Sequence, residues 1–247
     1  MLQSESRETT AHMDRQTPVF IVCSPLPHVG KTLIARLLVE YLHADGRAVA
    51  AFDLNPDDYT LAALLPEHTA IANIADTKGQ MALFDQLIVA DGLAKVVDLG
   101  YACFERFFSI MQDIDFEAEA QKRGILPVIL FVAEPDTHSI QAYGNLQDRF
   151  PELSIVPVLN AGAGTPMRPR SGFKPNYALI PLHIPLLTPA LKATLQRSGL
   201  LSASADNVSA YNTAELRAWL RRLFLQFREL ELRLMLEALM PTLKFGA

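Results

Sequence analysis

Val19-Phe20-Ile21-Val22-Cys23-Ser24-Pro25-Leu26-Pro27-His28-Val29-Gly30-Lys31-Thr32 places a buried-strand run and a turn directly before Gly-Lys-Thr, and the apolar-periodic helix Leu33 to Leu42 follows. This is the strand–loop–helix order of a phosphate-binding loop. Backbone N–H groups of such a turn and of the following helix N-terminus converge on an anion. The candidate nucleotide-binding residues are therefore His28, Val29, Gly30, Lys31, Thr32 and Leu33. Lys31 supplies a point charge for the β- and γ-phosphates, and the Thr32 hydroxyl is placed to ligate Mg²⁺. The loop also departs from G-x-x-x-x-G-K-[ST]. Pro25 stands at the first glycine and Pro27 lies inside the loop. Proline has no N–H, so two potential phosphate donors are missing.

The 247 residues, half of them hydrophobic, suit one large α/β domain or one domain with appendages. A net charge of −5 argues against a protein that coats nucleic acid generally. A local basic loop is the only route to such a partner: Arg168, Arg170 and Lys174 crowd one segment that reads either as a solvated loop or as a phosphate or nucleic-acid contact. Cys23 falls in a core strand, so a disulfide with Cys103 is not expected and a reducing cytoplasm fits. No apolar run reaches the length of a transmembrane segment. Residues 1–17 are polar and carry both charge signs, and they read as a disordered leader.

Beyond the first unit, strands are predicted at Ala48–Asp53, Ile71–Ile74, Lys95–Leu99, Ile125–Ala133, Leu153–Asn160 and Tyr177–Pro181. Helical spacing covers Tyr59–Leu65, Gly79–Asp91, Tyr101–Ile114, Phe116–Arg123, His138–Phe150 and Thr188–Ser198. The nearly unbroken apolar run from Ile125 marks a strand buried on both faces, as in a parallel sheet. The alternation predicts a doubly wound, mostly parallel α/β sheet flanked by helices over residues 18–200. Right-handed crossovers would gather the loops after the strands at one edge. Residues 201–247 form a helical extension. There Leu216, Leu220, Leu223, Phe227, Leu230 and Leu234 make a heptad-like stripe, and Trp219, Leu225, Leu232, Leu236 and Leu239 make a second apolar set. Such a helix is expected to bury more than one face, by packing on its own domain, in a dimer contact, or at a membrane surface.

Four further positions are candidates. Asp98 ends an apolar strand, where a carboxylate can hold a Mg²⁺ shell opposite Thr32 or simply cap a helix. Asp53 ends another strand ahead of Asn55-Pro56-Asp57, which suits either metal and water orientation or plain turn chemistry. Asn160 could read an adenine edge through its paired donor and acceptor, or serve as a turn residue. His28 could donate to a phosphate or face solvent.

Together these segments resemble the ParA/MinD group of P-loop ATPases, the deviant Walker A branch. Ser24–Thr32 resembles its P-loop, Ala51–Asp57 its D-x-D-P-Q segment, and Val96-Val97-Asp98 its Walker B strand. Pro157-Val158-Leu159-Asn160 resembles the adenine-reading segment, and Ile180-Pro181 with Ile184-Pro185 its late I-P stretch. The resemblance implies binding of ATP with Mg²⁺ and a homodimer formed around it. Lys31 and Asp53 would be catalytic, and Thr32, Asp98 and Asp53 would hold the metal. It also implies a switch in partition, positioning or conjugative transfer, with a protein partner that the sequence does not name. Three departures bear on the chemistry. The signature lysine falls on Leu26, the second aspartate on Asn55, and the first glycine on Pro25. Losing one such contributor costs on the order of 10²–10⁵ in rate, so slow or absent hydrolysis is expected. A nucleotide-independent interaction scaffold on the same fold, and an ATP-dependent ligase similar to dethiobiotin synthetase, are the alternatives.

Overall fold

The computed structural model describes residues 17–162, 173, 179–195, 199–200 and 210–244, with side chains in the last helix described over 214–237. Seven parallel strands form one sheet: β1 (Thr17–Cys23), β2 (Val49–Leu54), β3 (Thr69–Ile71), β4 (Ala94–Leu99), β5 (Ile125–Val132), β6 (Ser154–Asn160) and β7 (Leu182–Ile184). Their order across the sheet is β3-β2-β4-β1-β5-β6-β7. The predicted doubly wound α/β class is therefore the architecture observed, with every pairing parallel. β1 and β5 are apolar throughout their centres because each is covered on both faces.

The helices are α1 (Lys31–Ala44), α2 (Thr60–Leu64), α3 (Thr77–Leu87), α4 (Phe104–Asp113), α5 (Phe116–Lys122), α6 (Thr137–Arg149), α7 (Pro189–Leu195) and α8 (Ala210–Lys244). One sheet face packs against α1, α2 and α8 around Ile34, Leu38, Leu61 and Phe227. The other carries α3 to α6 and an aromatic cluster in which Phe84, Phe107, Phe108 and Phe131 meet at ring distances of 5.0–6.3 Å with their neighbours. The edge-to-face contacts among them, Phe104 with Phe108 and Phe131 and Phe107 with Phe108, add to area burial.

Several boundaries differ from the sequence expectation. The last strand lies at Leu182–Ile184, beyond the predicted Tyr177–Pro181, because Leu182 and Ile184 alternate inward around exposed His183 and pair with Val158 and Asn160. Residues 174–178 lie outside the described residues. The third strand is Thr69–Ile71 rather than Ile71–Ile74, since pairing with Ala51–Asp53 sets its register. Ile74 instead plugs the core from a connecting segment. A 3₁₀ turn at Tyr101–Cys103 precedes α4, where one continuous helix was predicted. Thr17 already belongs to β1, its amide donating to Gly124 O.

The six residues of the α8 heptad stripe are all buried, as is Trp219. Leu225, Leu232 and Leu236 are 68%, 55% and 62% exposed, so this chain does not itself cover them, and the Leu239 side chain lies outside the described residues. The buried stripe suffices to dock the helix on α1 and β7. Tyr41 and Arg47 both bond the Glu231 carboxylate at 2.5 Å. Gln226 accepts from His183 N at 2.8 Å and donates to His183 O at 2.7 Å, which satisfies the open edge of β7. No described helix is long and apolar enough to cross a membrane.

Candidate functional site

The parallel register decides which side chains meet. Val22 pairs with Asp98, and Asp98 pairs with Asp53, so two carboxylates lie side by side at the C-terminal edge next to the loop leaving β1. That loop enters α1 through Gly30 at φ 94°, in the left-handed region. No side chain caps α1, so its first-turn N–H groups remain as donors at the positive end of the helix dipole.

Lys31 is 7% exposed and its Nζ donates to Leu26 O at 2.7 Å. Burial lowers its pKa, while the nearby Asp98 and Cys23 work in the opposite direction. Tyr101 presents its ring 5.9 Å from Nζ. Burial pushes the Asp98 carboxyl up to about 7. The Thr32 hydroxyl beside it opposes that rise, the Asp53 charge adds to it, and Lys31 and Asn55 oppose it. Asp98 Oδ2 accepts from Asn55 Nδ2 at 3.0 Å, whereas its buried Oδ1 has no hydrogen-bond partner among the described residues. Asp53 is fully engaged. Its Oδ1 accepts from Asn55 N at 3.1 Å and Asn55 Nδ2 at 2.8 Å, and its Oδ2 accepts from Ala62 N at 3.0 Å.

A cleft of about 490 Å³ opens over these groups, lined by Lys31, Thr32, Asn55, Asp57, Gly100 and Tyr101 among others. Gly100 permits the close passage of the β4 end over β2, because a Cβ there would sit 2.6 Å from Leu54 O. A smaller cavity of about 360 Å³ flanks the loop on the side of Glu134 and Asp136. His28, at φ 58°, is exposed and borders both.

Of the predicted residues, Gly30, Lys31, Thr32, Asp53 and Asp98 are gathered at one edge, with His28 at the rim. Val29 is buried in the core beneath the loop, and Leu33 packs against that core. Asn160 reaches the loop from β6: its Nδ2 donates to Val29 O at 2.9 Å, and its Oδ1 accepts from Gly162 N at 3.0 Å. Among the described residues one N–H and one lone pair of the amide have no partner. Sequence reasoning missed the Asn55 bridge between the two carboxylates, the Tyr101 ring and the Asn160 contact. Asp98-Leu99-Gly100 held a signal for the crowding there, since a glycine just past a strand end marks close backbone approach. Among the described residues no cluster of three His, Cys, Asp or Glu side chains is disposed to hold a metal by itself. Arg168, Arg170 and Lys174 lie outside the described residues. Cys23 and Cys103 are both free thiols.

No protein-family profile and no curated protein matches the chain. Among solved structures it is similar to a nucleotide-binding protein from Archaeoglobus fulgidus in complex with ADP, in which cobalt was found. The TM-score is 0.44 and the identity 14%, over 77% of this chain and 89% of that one. The functional reading therefore rests on this chain's own residues.

Proposed function

We propose that this chain is a ParA/MinD-like nucleotide-binding protein that takes ATP with Mg²⁺. In this reading it acts as a switch in partition, positioning or conjugative transfer, with slow or absent hydrolysis. The observation that carries it is a buried lysine beside a buried carboxylate with one oxygen lacking a partner among the described residues, at an uncapped helix N-terminus. A lysine held in that setting is suited to a phosphate, whose charge offsets its desolvation. The orphaned Asp98 Oδ1 and the adjacent Thr32 hydroxyl fit a divalent cation. Thr32 and Asp98 would hold it, and Asp53 would support them through Asn55. Mg²⁺ bound there would neutralise charge on the phosphate oxygens.

His28 and the N–H groups from Gly30 to Leu33 would meet the phosphates, and the free N–H and lone pair of Asn160 would meet the base. Slow turnover follows from Asn55, because an amide cannot take a proton from attacking water. We further propose a cytoplasmic homodimer, the compartment in keeping with the two unpaired thiols; Leu26 leaves no lysine to cross between copies at that position.

The test is a thermal-shift titration with ATP, ADP and GTP, each with and without Mg²⁺. A Mg²⁺-dependent rise for ATP that is lost in Lys31→Ala is the expected result, since a ligand that binds only the folded state raises its melting temperature. A second reading, a nucleotide-independent scaffold, is favoured by one observation: Lys31 already has a carbonyl partner within a loop that carries two prolines. No shift with any nucleotide would select it.

A further inference from the structure

We propose that Asn160 is a positioning residue for the phosphate loop, acting through the Val29 carbonyl and so on phosphate itself, whatever base is attached. This rests on the nucleotide reading above. Asn160 lies 131 residues from Val29 in sequence, at the end of β6, yet its Nδ2 donates to Val29 O at 2.9 Å. Its Oδ1 is held by Gly162 N at 3.0 Å, which orients the amide plane.

The consequence follows from peptide geometry. The Val29 C=O and the Gly30 N–H belong to one planar trans unit and point in opposite directions. Pinning the carbonyl towards Asn160 therefore turns the Gly30 N–H to the opposite side of the loop. Gly30 also makes the contact possible: a Cβ there would sit 2.4 Å from Asn160 Nδ2, and φ is 94°. The missing side chain thus serves the clamp as well as the turn. The clamp carries more weight here than in a loop with a full set of donors. Pro25 and Pro27 have no N–H, so fewer backbone groups remain and the direction of each matters more.

The experiment compares wild type and Asn160→Ala by calorimetric titration with ATP, GTP and inorganic tripolyphosphate, each with Mg²⁺, well below the melting transition of both proteins. The expected result is a loss of about tenfold or more for all three ligands, tripolyphosphate included, as for one well-placed hydrogen bond. Loss for ATP with tripolyphosphate affinity unchanged would overturn the inference and make Asn160 a base contact only. Wild type that binds none of the three overturns the nucleotide reading, and this inference with it. Wild-type binding that the substitution leaves intact overturns this inference alone. Asn160→Asp supplies a second arm for the exchange measurement alone, because it keeps the acceptor for Gly162 and loses the donor to Val29, while the charge it adds would by itself weaken phosphate binding. Amide exchange over residues 28–33 should quicken in both variants without ligand; unchanged exchange would overturn the clamp.

Discussion

Asn55 stands where a third carboxylate would be hardest to tolerate. Its Nδ2 donates to Asp53 Oδ1 at 2.8 Å and to Asp98 Oδ2 at 3.0 Å, so one neutral amide links two acidic side chains on adjacent strands. An aspartate has no such donor and would add like charge. Asn55→Asp should lower stability by about 2–4 kcal/mol in chelator and recover part of it in Mg²⁺, read by urea unfolding. Equal stability of the two proteins in chelator would remove the bridging role. Asp98 sets a pH dependence. Its carboxyl is raised from 3.8 to about 7, so between those values the folded chain holds a proton that the unfolded chain has released. This contribution is present in full below the ordinary carboxyl range and is lost as pH rises through about 7. Unfolding free energy in chelator should therefore fall across that window, and Asp98→Asn should flatten the slope. A rise over the same window would contradict the burial argument.

At the scale of elements, α8 divides into two faces that the sequence makes equally apolar. Phe227 is 1% exposed and lies 5.5 Å from the Tyr41 ring, while Leu232 is 55% exposed. Phe227→Ala should cost about 3–5 kcal/mol, the range for deleting a buried ring. Leu232→Gln should stay within about 0.5 kcal/mol, as surface changes do. Chemical denaturation of the two variants measures the contrast, and comparable losses would mean that the exposed face is covered in solution.

At the scale of the molecule, α8 is a wall of the core. Its buried residues form one continuous cluster with β1, β5, β6 and α1. Six stripe side chains at about 1.5–3 kcal/mol each come to the same order as the whole stability of a domain, about 5–15 kcal/mol. Deleting residues 210–247 should therefore leave a chain without a cooperative unfolding transition by circular dichroism. A truncated protein that melts cooperatively near the full-length temperature would show that the sheet stands without this helix.

The sequence by itself determined the class of fold, because alternating apolar runs and amphipathic stretches are local patterns that need no partner to be read. It also located Gly30-Lys31-Thr32, Asp53 and Asp98, since each sits at the end of such a run. Only the tertiary structure decided register and coverage. Leu182–Ile184 became the seventh strand because β6 offered an open edge, and the two apolar faces of α8 were told apart by what lies beneath them. Asn55 and Asn160 look like ordinary turn residues along the chain. Their partners, Asp98 and Val29, are 43 and 131 residues away, and only packing brings those groups within hydrogen-bond distance.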